Sequence, residues 1–141
     1  MAELIGIMIL YKFPSTYVLA CISLLGLITG CAKEPGIGGR GEIQGRIMEQ
    51  HQGEGDLYPR PDHEVYIVYG DGTTEDDNVR TGPDGRFRFP WLRKGEYRIY
   101  TFSECEDLTA CPGGTVAVIR EVDLIQRKDL VDVGDLNIMN W

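Results

Sequence analysis

From residue 41 onward the chain alternates apolar and polar residues over short runs, and no stretch sustains the recurrence of an amphipathic helix. Ile43 and Ile47 share one side of their run with Gly45 between them, and Val65, Ile67 and Tyr69 share one side of the next. Phe87 and Phe89 alternate with Arg86 and Arg88, and Tyr97 and Ile99 with Glu96 and Arg98. Val116 and Val118 alternate with Ala117 and Ile119, and Leu136 and Ile138 close the series. These runs are rich in β-branched and aromatic residues and are bounded by glycine-containing turns, so they predict strands. Gly70-Asp71-Gly72 and Gly82-Pro83-Asp84-Gly85 offer glycine for positive φ and aspartate for local capping. About seven short strands in roughly 100 residues predict an all-β sandwich. The segment 124–129 stays open between strand and a short helical turn.

The stretch from Thr81 to Ile99 fills the pattern T-x-x-D-G-x-F-x-F, then a leucine, then G-x-Y with an apolar residue two further on. It resembles the core of the carboxypeptidase regulatory-like domains, a transthyretin-like (prealbumin-like) sandwich family. Ile43-Gln44-Gly45-Arg46-Ile47 is similar to that family's opening strand and residues 131–138 to its closing strand, so the resemblance spans residues 41–139. It implies a single transthyretin-like β-sandwich and is almost silent on activity. Asp84-Gly85 is expected to make a hairpin-type turn, Phe87 and Phe89 to enter the core, and Leu92 to close its end. Gly95 is then expected to return the chain so that Tyr97 and Ile99 pair back. The long polar Gln50–Asp62 loop and the Ser103–Gly114 loop depart from the pattern.

Ahead of this domain, one cation, Lys12, precedes an apolar run from Tyr17 to Ile28 that ends in Leu27-Ile28-Thr29-Gly30-Cys31. A basic start, a short apolar stretch and small residues before a cut are the plan of a secretory signal peptide. With cysteine after the cut, the register resembles the lipobox of bacterial lipoproteins. That implies cleavage after Gly30, a diacylglyceryl group on the Cys31 thiol and acylation (palmitate among the candidates) of the new amino terminus. The run of about 12 residues is short of the roughly 20 needed to span a bilayer, and a plain secreted protein needs no cysteine there. Met8 is an alternative start to Met1. Residues 1–30 are thus expected as signal peptide, 31–40 as lipidated cysteine and glycine-rich tether, and 41–141 as the sandwich.

The formal charge is −8, from 14 cations against 22 acids, and removal of Lys12 and Glu3 with the leader leaves it unchanged. An acidic domain argues against nucleic acid and against adsorption to anionic headgroups, so the acyl chains must do the anchoring. Cys21 leaves with the leader and Cys31 is acylated, which leaves Cys105 and Cys111 around a short polar loop. An exported even pair predicts a disulfide, with two free thiols as the alternative.

Candidate chemistry is sparse. His51 and His63 flank one polar loop near Asp56 and Asp62 without a third ligand at fixed spacing, so solvated histidines are the simpler reading and no metal or cofactor is expected. Asp71, Glu75, Asp76, Asp77 and Asp84 gather around two turns where calcium is conceivable, although the EF-hand register is absent. Ser103 is the single serine after Cys31 and has no G-x-S-x-G context, so no catalytic residues are assigned and no enzyme is expected. Trp91, Tyr58, Tyr66 and Tyr100 fall off the inferred core register and are candidates for a ligand surface, with edge cover as the commoner fate. Arg86, Arg88 and Arg98 would share an outward face of one hairpin, as a basic stripe or as partners of nearby acids. The expected function is a lipid-anchored, non-catalytic structural or interaction module of the cell envelope, in the outer membrane of a Gram-negative bacterium. A glycan-binding accessory lipoprotein and a small envelope hydrolase are the alternatives. The partners expected are the membrane through Cys31 and an envelope protein or glycan.

Overall fold

A computed structural model of the protein describes residues 33–105 and 107–141. The expected signal peptide and the acylated Cys31 lie outside the described residues. Within them the chain forms eight strands and no α-helix: β1 (Ile37–His51), β2 (Tyr58–Pro59), β3 (Glu64–Tyr69), β4 (Asp77–Arg80), β5 (Arg86–Leu92), β6 (Gly95–Glu104), β7 (Thr115–Leu124) and β8 (Leu130–Asn140). β1 is the spine of sheet one, with β8 along one edge and β5 followed by β2 along the other. Sheet two runs β4-β3-β6-β7. All pairings are antiparallel except β1 with β8, the first and last strands, which run parallel from Glu42↔Leu130 to His51↔Asn140.

The core is the layer where the two sheets' apolar sides meet. Sheet one contributes Ile43, Ile47, Phe87, Phe89, Leu92, Leu136 and Ile138, and sheet two contributes Val65, Ile67, Tyr97, Ile99, Val122 and Leu124. All but Val122 and Leu124 are positions that the sequence pattern placed inward, because side chains on a pleated strand change face at every residue. Gly45 lies in this layer because a β-carbon there would sit 2.6 Å from Val133 Cγ2 and 2.7 Å from Phe87 Cζ. The bare backbone is what lets the Phe87 ring lie over β1, which explains the glycine of the opening-strand motif.

Two connections differ from expectation. β5 pairs with β1, whereas β6 pairs with β3 and β7, so Tyr97 and Ile99 do not pair back onto the Phe87 strand. The link from Leu92 to Gly95 carries the chain from one sheet to the other, and the two apolar rows meet across the core instead of side by side. The turn at Asp84-Gly85 likewise joins β4 of sheet two to β5 of sheet one, as a corner and not a hairpin. Gly85 does adopt positive φ (74°), and a β-carbon there would lie 2.6 Å from the Ile47 carbonyl oxygen. A corner and a hairpin use the same turn residues, so local sequence does not separate them. Two further strands were not expected: β2 lies in the Gln50–Asp62 segment read as polar loop, and β4 lies between the two glycine-containing turns; 124–129 ends β7 in a turn closed by the Asp129 carboxylate on the Gln126 N–H. β1 also begins at Ile37, within the glycine-rich segment read as tether.

Cys105 and Cys111 form the expected disulfide, with Cα atoms 6.5 Å apart. The loop it closes is also held by the Asp107 carboxylate, which accepts the N–H groups of Thr109 and Ala110. A ring this small stabilises by about 2 kcal/mol in the chain-entropy account.

Candidate functional site

Outward positions of a solvated sheet face are ordinarily polar. On part of sheet two they are not. Tyr66 of β3 stands opposite Tyr100 of β6, which stands opposite Ile119 of β7, and Phe102 stands opposite Ala117. The Tyr66 and Tyr100 rings stack with centroids 5.1 Å apart, and Phe102 sets its edge toward both at 5.9 and 5.7 Å. Phe102 is 44% exposed and Ile119 51% exposed. The result is an aromatic shelf across three adjacent strands.

Charged groups border it. The Tyr66 hydroxyl donates to Glu64 Oε2 at 2.6 Å, Arg80 donates to Glu64 Oε1 at 2.9 Å, and Arg80 reaches Asp62 Oδ1 at 3.0 Å. The bond from Tyr66, followed by those from Arg80, holds the Glu64 carboxyl below the usual carboxylate range, and the same bond pushes the Tyr66 phenol up. The Tyr100 phenol is raised by burial first and by Glu75 second. A shallow depression of about 270 Å³ lies at this border, lined by Asp62, His63, Glu64, Tyr66, Arg80 and Phe102.

His63 sits beneath the shelf in a polar layer. Thr101, fully buried, donates its hydroxyl proton to the Glu64 carbonyl at 2.8 Å, so His63 Nε2, 2.7 Å away, must be the donor to Thr101 Oγ1. That fixes the neutral tautomer with its proton on Nε2. Burial first, then the charge of Arg60, lowers the His63 pKa. Ser103, also buried, accepts the Met139 N–H at 2.8 Å and ties β6 to β8. Glu49, which alternation alone passes over, is buried yet paired with Arg60 at 2.9 Å and with Asn140 at 2.8 Å.

The four aromatics singled out from the sequence do not converge. Tyr66 and Tyr100 meet, but Tyr58 lies on β2 and Trp91 on β5, both in sheet one, toward opposite ends of β1. A coplanar row that includes Trp91 is therefore not present. Phe102, Ala117 and Ile119 complete the shelf instead; their signal was the cross-strand register of β6 and β7, which no single run reveals. The arginine stripe is also corrected. Arg86 and Arg88 belong to sheet one, where they face Asp84 and Glu42, while Arg98 belongs to sheet two and donates to the Gly72 carbonyl. These arginines satisfy neighbouring acceptors. Of the two valines read as inward on β7, Val118 packs against the core, whereas Val116 is 49% exposed on this edge strand, which pairs only with β6 among the described residues.

The acids around the two turns are taken up locally. Asp76 accepts the Tyr69 N–H, Asp77 the Asn78 N–H, Asp84 the Arg86 N–H, and Glu75 the Tyr100 hydroxyl. His51 faces Glu49 at 3.8 Å, while His63 is bonded to Thr101. No cluster of three His, Cys, Asp or Glu side chains able to hold a metal ion occurs among the described residues.

No family model matches the chain, and no curated protein matches it significantly. Among solved structures, a Pseudomonas aeruginosa protein described as a candidate carbohydrate-binding protein is similar at TM-score 0.45 and 13% identity, over 74% of this chain and 91% of that one. (S)-allantoin synthase is similar at TM-score 0.40 and 16% identity, over 67% of this chain and 41% of that one. A 9R-lipoxygenase from Cyanothece is similar at TM-score 0.35 and 16% identity, over 69% of this chain and 16% of that one. The protein is an all-β sandwich of two four-stranded sheets with distant likeness to these proteins, and likeness at this level carries no argument about ligand or activity.

Proposed function

We propose that the protein is a lipid-anchored, non-catalytic interaction module of the bacterial cell envelope, and that it meets a partner protein through the shelf of Tyr66, Tyr100, Phe102 and Ile119. The lipid anchor is the part carried by the Leu27–Cys31 register in the sequence. The partner surface is carried by one observation: apolar side chains occupy the outward positions of three adjacent strands, bordered by Glu64, Glu75 and Arg80. An apolar centre with a charged rim is how protein interfaces are built, and aromatic residues are enriched at their centres. The two tyrosine hydroxyls are engaged with carboxylates, so the rings are held in place before a partner arrives and little side-chain freedom is lost on binding.

Photocrosslinking in the producing bacterium tests this. A benzoylphenylalanine in place of Phe102 should give a discrete protein adduct, and the same group in place of Arg88, on the outer face of sheet one, should not. Absence of an adduct at position 102, or equal adducts at both positions, overturns the assignment of the shelf. An adduct on polysaccharide would replace the protein partner with the glycan alternative.

A further inference from the structure

One end of the sandwich brings exposed apolar side chains and cations together. The segments that meet there are residues 33–41, 91–95 and 124–130. Arg93 donates its N–H to the Gly36 carbonyl at 2.8 Å, Glu42 donates its N–H to the Asp129 carbonyl at 2.8 Å, and Leu124 pairs with Gly95. Pro35 is seated over Gly95, where a β-carbon would meet its Cγ at 2.5 Å. On this end Ile37 is 55% exposed, Trp91 67%, Ile125 67% and Leu130 61%. Trp91 is also held at φ 62°, so a large aromatic is kept in a sparsely populated backbone region and in water at once.

Cations share the same end. Lys33, Arg40, Arg93, Lys94, Arg127 and Lys128 lie in these segments against Glu34 and Asp129, with Asp71, Glu96 and Asp123 in the adjoining turn and strand ends. Among the described residues the salt bridges involve Arg46, His51, Arg60, Arg80, Arg86 and Arg88, and none of these six cations. In a chain of formal charge −8, these six cations stand against those five acids and Asp76, which lines the same hollow as Glu34, Asp71 and Glu96, so this end is close to neutral. The expectation that an acidic protein is repelled from anionic headgroups therefore applies to the remainder of the surface and not here.

The chain enters the fold at this end. Gly36 is already fixed, its N–H donating to the Tyr97 hydroxyl at 3.0 Å, so only Ala32, Lys33 and Glu34 separate Cys31 from the seated Pro35. Four residue steps reach at most about 14 Å. We infer that this end docks on the phospholipid surface, with Trp91, Ile37, Ile125 and Leu130 at the headgroup boundary and the lysines and arginines reaching phosphates. Exposed tryptophan suits that boundary, and long cationic side chains can lie along apolar groups while their charged heads stay wet. The inference rests on the reading of Cys31 as a lipid attachment site, which makes the docking intramolecular and lets weak contacts suffice.

The two tryptophans make the test internal. Trp141 follows β8, whose Asn140 pairs with His51 at the opposite end of β1. The full-length protein, extracted from membranes in detergent, would be reconstituted into phosphatidylethanolamine–phosphatidylglycerol vesicles whose acyl chains carry bromine. Trp141→Phe leaves Trp91 as the reporter and Trp91→Phe leaves Trp141. Trp91 emission should shift to the blue and lose at least about half its intensity to the brominated chains, while Trp141 keeps both. Ile125→Glu with Leu130→Glu should return Trp91 to the behaviour of Trp141. If the protein floats with the vesicles and carries fatty acid, yet Trp91 is no more quenched than Trp141, the docking is overturned and the anchor stands. If it carries no fatty acid and does not float, the anchor fails, and the docking falls with it.

Discussion

Tyr97 and His63 show what single residues do in this fold. Tyr97 is 1% exposed, and its hydroxyl accepts the Gly36 N–H and donates to the Arg93 carbonyl, so one phenol fixes both the start of β1 and the link from β5 to β6. His63 acts on stability through its proton. Its pKa is lowered in the fold, by burial and then by Arg60, so below the unfolded value of about 6.5 the unfolded chain binds a proton that the folded chain refuses. Stability contributed by neutral His63 is present above that value and is lost as pH falls through it. His63→Gln keeps an N–H donor for Thr101 and removes the titration. The wild type should therefore lose more stability than His63→Gln between about pH 7.5 and about pH 5, measured by denaturant melts. Equal losses would show that His63 does not titrate differently in the two states. The burial of Tyr97 was legible in the sequence, because a period of two places it inward. The His63–Thr101 bond was not, because it joins residues 38 apart, one just before β3 and one on β6, whose register the sequence leaves free.

At the scale of elements, β5 carries the clearest agreement between pattern and fold. Phe87 and Phe89 are 3% and 2% exposed, while Arg86 and Arg88 point to solvent. Phe87→Ala should cost about 3–5 kcal/mol through the cavity it leaves over Gly45. Arg88→Ala removes a surface pair with Glu42 and should cost less than about 1 kcal/mol. Gly85→Val should cost more than about 1 kcal/mol, because a β-carbon would press on the Ile47 carbonyl at positive φ. Urea melts of the three variants rank them, and a larger loss for Arg88→Ala than for Phe87→Ala would reverse the register of β5. What the pattern did not supply was partnership. Alternation states which side of a strand is apolar, but the same apolar side is satisfied by pairing β5 beside β6 or by setting the two across the core. The choice was made by β1, whose length lets it pair with β8 on one edge and with β5 and β2 on the other. The shelf on sheet two follows from this arrangement, since β6 is free to lie between β3 and β7 and bring Tyr66, Tyr100 and Ile119 into one row.

For the whole molecule, the distribution of surface is more telling than its sum. The chain carries a formal charge of −8, yet cations that form no salt bridge among the described residues gather with exposed Trp91, Ile37, Ile125 and Leu130 where the chain enters the sandwich. Such an end suits a surface that is apolar and anionic, and the segment just before it is the one whose register resembles a lipobox. Cys31 is thus the residue on which the proposed placement depends. In the proposed reading its thiol would accept the diacylglyceryl group, and a hydroxyl at the same position is a far weaker nucleophile at neutral pH. Without the lipid, the residual contacts at the sandwich end must work as a bimolecular encounter and lose the advantage of a tether about 14 Å long. Cys31→Ser should therefore abolish labelling by a metabolically supplied fatty acid and leave a precursor longer by the uncleaved leader, visible by intact-mass measurement. Labelling that persists in Cys31→Ser, or a wild-type protein that never takes up label, would remove the anchor from this account and leave the exposed end of the sandwich without an assigned surface.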